Sequence, residues 1–297
     1  MNKQSKTVFV LEGGAMRGLY SAGVLDTFLQ NNISTNAIYG VSAGALFGIN
    51  FKSKQIGRAI RYNLKYAHEK NYMGLYSLVT TGDIMNKEFC FNKLVNELDK
   101  FDFETFDNSP IDFFAVVSNV ETGKAEYLKI KNAKKDLEIL RASGSMPFVS
   151  RLVEVNSKKY LDGAITDPIP FQKALDEGYE KIVVVLTRPQ NYKKRKENLP
   201  YNLVYAKYPN FIKTANEQYK RYNETLALIE KYENEGKIVV LRPSKDLKIA
   251  RVEKNLEKLK AIHKLGVDDC LANLKKIKNY LSQDINSNIS SDKLYLR

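Results

Sequence analysis

Gly40-Val41-Ser42-Ala43-Gly44 follows the apolar run Ala37-Ile38-Tyr39 and precedes Ala45-Leu46-Phe47. This is the Gly-x-Ser-x-Gly pattern of a nucleophile elbow. Its glycines let a strand turn sharply into a helix while the serine hydroxyl is held out at the helix N-terminus. Upstream, Thr7 to Leu11 reads as a short buried strand. Glu12-Gly13-Gly14-Ala15-Met16-Arg17-Gly18 then reads as a tight turn into a helix running to about Asn31. Two strand-turn-helix units in the first fifty residues predict an α/β protein with a mostly parallel sheet.

Farther along, Ile56 to Asn71 and Met85 to Leu98 read as helical, and Phe101 to Pro110 as a loop. Ile111 to Val120 is a strand with Ala125 to Ile130 as its hairpin partner, and Lys134 to Ala142 is a helix. Strands at Leu152 to Val155 and Lys159 to Leu161 deliver Asp162, and Pro168 and Pro170 start a helix before the strand Ile182 to Leu186. Beyond Arg188 the spacing predicts one amphipathic helix over Phe211 to Glu235, a last strand at Ile238 to Leu241, and helices over Ile249 to Leu281 broken near Gly266. The resulting division is a core over 1–187, a basic and mainly helical extension over 188–281, and a flexible tail over 282–297.

With 297 residues, 43% of them hydrophobic, the chain can bury a sizeable core, while its 16 Gly, 8 Pro and 2 Cys exclude collagen-like and disulfide-stapled classes. Cys90 and Cys270 match no metal spacing and read as core, which points to a reducing compartment and to no metal or cofactor. Apolar runs are short: Val8 to Leu11 near the start, and Ala43 to Phe51 as the longest. No membrane span is expected, and any membrane contact is peripheral. The net charge of +13 is uneven, since residues 188–297 carry 24 Lys and Arg against 13 Asp and Glu. An anionic lipid surface and a merely solvated face are both compatible with that excess, and no nucleic-acid recognition motif accompanies it.

A serine nucleophile needs a proton acceptor, and the two histidines can be weighed completely. His68 reads as solvated surface. His263 follows Ser42 and Asp162 in the order of an α/β-hydrolase triad, yet sits in a Lys-rich helix. Asp162, in Leu161-Asp162-Gly163-Ala164, can be aimed by the tight turn that Gly163 permits, although an ordinary turn has the same look. Gly13, Gly14 and Ala15 can offer adjacent amides to an oxyanion. The same turn fails the dinucleotide pattern at Ala15 and the P-loop pattern at Leu19 and Tyr20. Arg17 either fixes this loop or attracts an anionic head group, while Glu12 reads as a solvated or paired charge and Asp26 as helix surface. Tyr72, Met73, Leu75, Tyr76 and Leu78 are candidates to cover a lipid groove or to pack as core.

Taken together, the turn Gly13 to Gly18, the elbow Gly40 to Gly44, the segment Ser143-Gly144-Ser145-Met146-Pro147 and Asp162-Gly163-Ala164 resemble, in order and spacing, the patatin-like phospholipases. The resemblance covers about Thr7 to Leu186, and the C-terminal third resembles the extension of small bacterial members. It implies a three-layer α/β/α fold and hydrolysis of lipid acyl esters, as by a phospholipase A or lysophospholipase. Carried over, Ser42 is the nucleophile of a Ser-Asp dyad, Asp162 its proton acceptor, and the amides of Gly13, Gly14 and Ala15 the oxyanion hole. Ala15 departs from the family's usual glycine. An esterase using His263, an inactive scaffold and a binding module for anionic surfaces are the alternatives. The location implied is cytoplasmic, peripheral at the inner membrane surface.

Overall fold

The computed structural model describes residues 6–282 apart from Leu247, so most of the tail expected over 282–297 lies outside the described residues. Its centre is one sheet of eight strands: β1 (Thr7–Leu11), β2 (Ala37–Val41), β3 (Asp112–Asn119), β4 (Ala125–Lys129), β5 (Val153–Val155), β6 (Lys158–Asp162), β7 (Lys181–Val185) and β8 (Val239–Leu241). The pairs β1–β2, β2–β3, β1–β7 and β7–β8 are parallel, whereas β3–β4, β3–β6 and β5–β6 are antiparallel.

The helices are α1 (Leu19–Gln30), α2 (Ala43–Lys52), α3 (Arg58–Tyr66), α4 (Leu75–Thr81), α5 (Phe103–Asn108), α6 (Leu137–Ser143), α7 (Phe171–Asp176), α8 (Tyr201–Val204), α9 (Pro209–Asn216), α10 (Gln218–Asn234), α11 (Leu256–Ala272) and α12 (Leu274–Ser282). A π-helical stretch, Phe89–Leu98, replaces the ordinary helix expected there, and α5 occupies part of the expected loop. Alternation along β1 explains the layers. Phe9 and Leu11 pack with Leu19 and Phe28 of α1 and Phe51 of α2 on one face, while Val8 and Val10 pack with Phe171 of α7 and Tyr222 and Ile229 of α10 on the other.

Register along β3 places the two ends that matter. Val41 partners Val116, and Asp162 partners Val117, the next residue. Because β4 spans Phe114 to Ser118 and so overlaps both contacts, β2 and β6 must share the other edge of β3, end to end.

Two expectations for the C-terminal third are corrected. Gly266 does not break a helix: α11 runs through it, because a Cβ there would lie 2.1 Å from the Tyr20 carbonyl oxygen, so the glycine lets α11 close on α1. Gly23 of α1 reciprocates, its added Cβ lying 2.2 Å from the His263 carbonyl oxygen. The expected single helix from Phe211 to Glu235 is two, α9 and α10, meeting at Glu217. They dock on different partners: Thr214 Oγ1 donates to Gly123 O at 2.9 Å, while Arg221 donates to Ile165 O at 2.9 Å and Gln218 to Ala164 O. Among the described residues no helix is long and apolar enough to cross a membrane.

The α1–α11 contact gives a direct expectation. Gly266→Leu forces two helix backbones apart and costs about 3 kcal/mol of stability, at the upper end of overpacking penalties, read as a lower urea midpoint.

Candidate active site

Ser42 leaves β2 with φ 53° and ψ −121°, a conformation costly for any residue with a side chain, and caps α2. Its neighbours explain why the chain tolerates it. A Cβ at Gly44 would lie 2.5 Å from Leu11 O, and one at Gly40 would lie 2.7 Å from the Ala45 backbone, so only glycines allow the turn to pack this tightly. Ser143 Oγ receives the Ser42 amide at 2.9 Å.

Asp162 closes β6. Its Oδ2 accepts the Ser42 hydroxyl at 2.6 Å and its Oδ1 accepts the Ala164 amide at 2.9 Å. Gly163 lets this turn press on β3, where an added Cβ would lie 2.2 Å from Val116 O. The carboxyl is buried, and loss of hydration pushes its pKa up to about 6 against the opposing pull of the Ser42 and Ala164 hydrogen bonds. That places a carboxylate with enhanced basicity directly on the serine hydroxyl.

Gly13 presses on the same point, since a Cβ built there would lie 3.0 Å from Ser42 Cβ. Gly14 backs onto Thr187, whose Oγ1 would be 2.6 Å from an added Cβ. Ala15, at φ 48°, adopts the left-handed backbone that glycine would take without strain, and it opens the short 3-10 turn Ala15–Gly18. The first amides of such a turn have no carbonyl partner within it and so can serve an anion. Gly18 packs against Ala43 and Phe47 of α2.

Glu12 is not solvated; Arg17 is near enough to attract its charge. Glu12 is buried, accepts the amide and hydroxyl of Thr187 and, at 2.6 Å on Oε1, the Tyr222 hydroxyl; burial drives its pKa up. Asp26, expected on the helix surface, is buried: it accepts the Gly57 amide at 3.0 Å and faces His263 Nε2 at 2.9 Å. His263 is thereby committed to the α1–α11 contact, and His68 is exposed as expected. Cys90 and Cys270 are free and buried, and no cluster of metal-ligating side chains occurs among the described residues.

Two spaces meet at Ser42. One is an apolar pocket lined by side chains such as Phe47, Ile49, Leu94, Val95 and Leu140. The other, more polar than the first, is a cleft of about 420 Å³ containing Asp162 and the Gly13–Ala15 turn. Ala15, Ser42, Ile84, Met146 and Arg251 line both. Of the expected groove residues only Tyr72 and Met73 reach the pocket, whereas Leu75 and Tyr76 point outward on α4. Three contributors were not legible as such in the sequence: Thr187, Tyr222 and Arg251. Thr187 alone carried a usable signal, standing just past the end of β7 where parallel sheets collect functional groups.

Residues 208–282 match a domain of unknown function, DUF6363. The uncharacterized protein YjjU of Escherichia coli K12 is 27% identical over 190 residues, covering 62% of this chain and 52% of YjjU, so the chain spans about half the length of that relative. Among solved structures, VipD from Legionella pneumophila aligns over 92% of this chain and 67% of its own, with 12% identity and a TM-score of 0.45. The type III effector ExoU aligns over 94% and 54%, with 10% identity and a TM-score of 0.37. Residues 9–175, more than half of the chain, match the family model for patatin-like phospholipases, and the chain belongs to that family.

Proposed function

We propose that this protein hydrolyses lipid acyl esters through a Ser42–Asp162 dyad. The observation that carries the reading is the 2.6 Å hydrogen bond from the Ser42 hydroxyl to a buried carboxylate, with no histidine between them. In the proposed reaction, Asp162 Oδ2 takes the hydroxyl proton as Ser42 Oγ attacks the ester carbon, and the carbonyl electrons move onto oxygen. Amides of Gly13, Gly14 and Ala15 receive that oxyanion, with Arg17 and Gly18 supporting their loop. Collapse expels the alcohol, which leaves with the proton from Asp162, and an acyl-enzyme remains. Asp162 next deprotonates a water that attacks the acyl carbon, and the fatty acid departs as Ser42 recovers its proton.

The apolar pocket beside Ser42 supports a fatty acyl chain, and a phospholipid or lysophospholipid fits an ester joined to a polar cleft. The positive excess of residues 188–297 supports a peripheral contact with anionic lipid. Commitment of His263 to Asp26 weighs against a histidine triad.

A fluorophosphonate probe tests the dyad. Wild type and His263→Ala are expected to label, while Ser42→Ala and folded Asp162→Asn are not; labelling lost in His263→Ala would replace the dyad with a triad. Since only ionised Asp162 can accept the proton, kcat/KM is expected to rise with pH through about 6 and level off above pH 7, read on a soluble ester.

Stability carries the opposite sign. Because its folded-state pKa lies above the unfolded one, the contribution of Asp162 to stability is greatest below pH 4 and falls as pH rises from there through about 6. A shift from 3.8 to about 6 corresponds to about 3 kcal/mol at full ionisation. Asp162→Asn is therefore expected to melt above wild type at pH 8, with the gap closing toward pH 4. At Ala15, glycine relieves the left-handed strain and is expected to keep stability within about 1 kcal/mol, whereas Ala15→Val costs about 2 kcal/mol, read by urea denaturation.

A further inference from the structure

The polar cleft is charged in a way that the dyad does not use. Arg17, Arg188, Lys194 and Arg251 all line it, and three of these four lie outside residues 9–175. Besides Asp162, the only carboxylates on its wall among the described residues are Glu12 and Glu197. Glu12 accepts from Thr187 and Tyr222 while also attracting Arg17 and Lys194, and Glu197 attracts Lys194 and meets Arg251 only at 3.7 Å with both side chains about half exposed, a weak pair, so four cations face two such carboxylates.

The cations are held in place. Arg188 lies 4.4 Å over the Tyr192 ring, which packs edge-on against Tyr222. The Lys194 backbone is pinned to α10 in both directions, its amide donating to Asn223 Oδ1 and its carbonyl accepting from Nδ2, each at 2.9 Å. Arg17 is half-buried, and its Nε has no hydrogen-bond partner among the described residues. Burial and the neighbouring Arg188 both pull the Arg17 pKa down, so this guanidinium is held in an environment that disfavours its charge. Converging cations with so few counter-charges in a partly desolvated cleft are best satisfied by a multiply charged anion.

We infer that Arg17, Arg188 and Lys194, with Arg251 at the junction of cleft and apolar pocket, form a subsite for the phosphate of an acyl lipid whose chain enters the apolar pocket. The identification of the ester as the bond cut rests on the hydrolase reading, but phosphate binding does not require turnover. Calorimetry on the Ser42→Ala protein therefore tests it, with dodecyl phosphate below its micelle concentration, an uncharged dodecyl ether and inorganic phosphate as titrants.

Dodecyl phosphate is expected to bind at least tenfold more tightly than either of the others and to weaken with added salt. Arg188→Gln combined with Lys194→Gln is expected to weaken it at least tenfold, with circular dichroism confirming the fold, while Lys196→Gln outside the cleft retains binding. Equal affinity for the uncharged ether, or no loss in the double variant, overturns the subsite. Inorganic phosphate binding as tightly as dodecyl phosphate overturns the lipid and leaves a free-phosphate site. Failure of wild type to label with fluorophosphonate, alongside intact dodecyl phosphate binding, overturns the hydrolase reading alone.

Discussion

Everything at the site depends on the register of β3. Its residues Val116 and Val117 face Val41 and Asp162 in turn, so one strand fixes where β2 ends and where β6 ends. Ser42 is the next residue after Val41, and its hydroxyl meets the Asp162 carboxylate at 2.6 Å without help from a flexible loop. Groups set on strand ends are positioned more rigidly than groups on loops, and a proton transfer over hydrogen-bond distance benefits directly from that rigidity. A one-residue slip of either pairing would move its partner about 3.3 Å along the strand and reverse its facing.

The C-terminal third is tied into this arrangement by polar contacts rather than appended to it. Tyr222 of α10 and Thr187 both hold Glu12, the residue immediately before the glycine turn, and Thr187 Oγ1 also contacts Gly13 O at 3.1 Å. Arg221 and Gln218 of α10 hold carbonyls of the turn just beyond Asp162. Thus α10 touches the loops on both sides of Ser42, and β8 extends the same sheet through β7. A buried carboxylate such as Glu12 is costly unless its lone pairs are filled, which explains why the chain supplies three donors to it.

Much of this was legible in the sequence because the decisive signals are local. The elbow, the glycine turn and the Asp-Gly pair each specify a backbone shape within a few residues, and their order along the chain fits an alternating sheet. What was not legible depends on contacts between distant segments. Gly266 carries the same letter whether it ends a helix or lets two helices touch, and only Tyr20 on α1 decides between them. Asp26 has the pattern of an exposed helical residue until α11 brings His263 against it. The split at Glu217 has no glycine or proline to announce it; the two halves separate because their side chains dock on different loops. Likewise Arg17, Arg188, Lys194 and Arg251 are spread over most of the chain and become neighbours of one cleft only after folding.

Several features of the site are unfavourable for the fold taken alone: left-handed backbone at Ala15, the strained turn at Ser42, a dehydrated Asp162 and a half-buried Arg17. They cluster within one cleft, whereas the surrounding sheet is apolar and tightly packed on both faces. Each is what the proposed chemistry needs: an aimed serine, an amide turn open to an oxyanion, a carboxylate basic enough to take a proton, and cations that outnumber the carboxylates around them. Moving any of them toward a more comfortable state would lower the energy of the empty protein and remove the difference on which catalysis and binding depend. The same logic explains why the cations can lie near Asp162 without abolishing its basicity. Their pull lowers its pKa, but desolvation by the packed strand ends is the larger effect and leaves the carboxyl near 6. An anion seated among those cations would cancel part of their pull, so a bound phosphate would make Asp162 a stronger base at the moment the ester is in place.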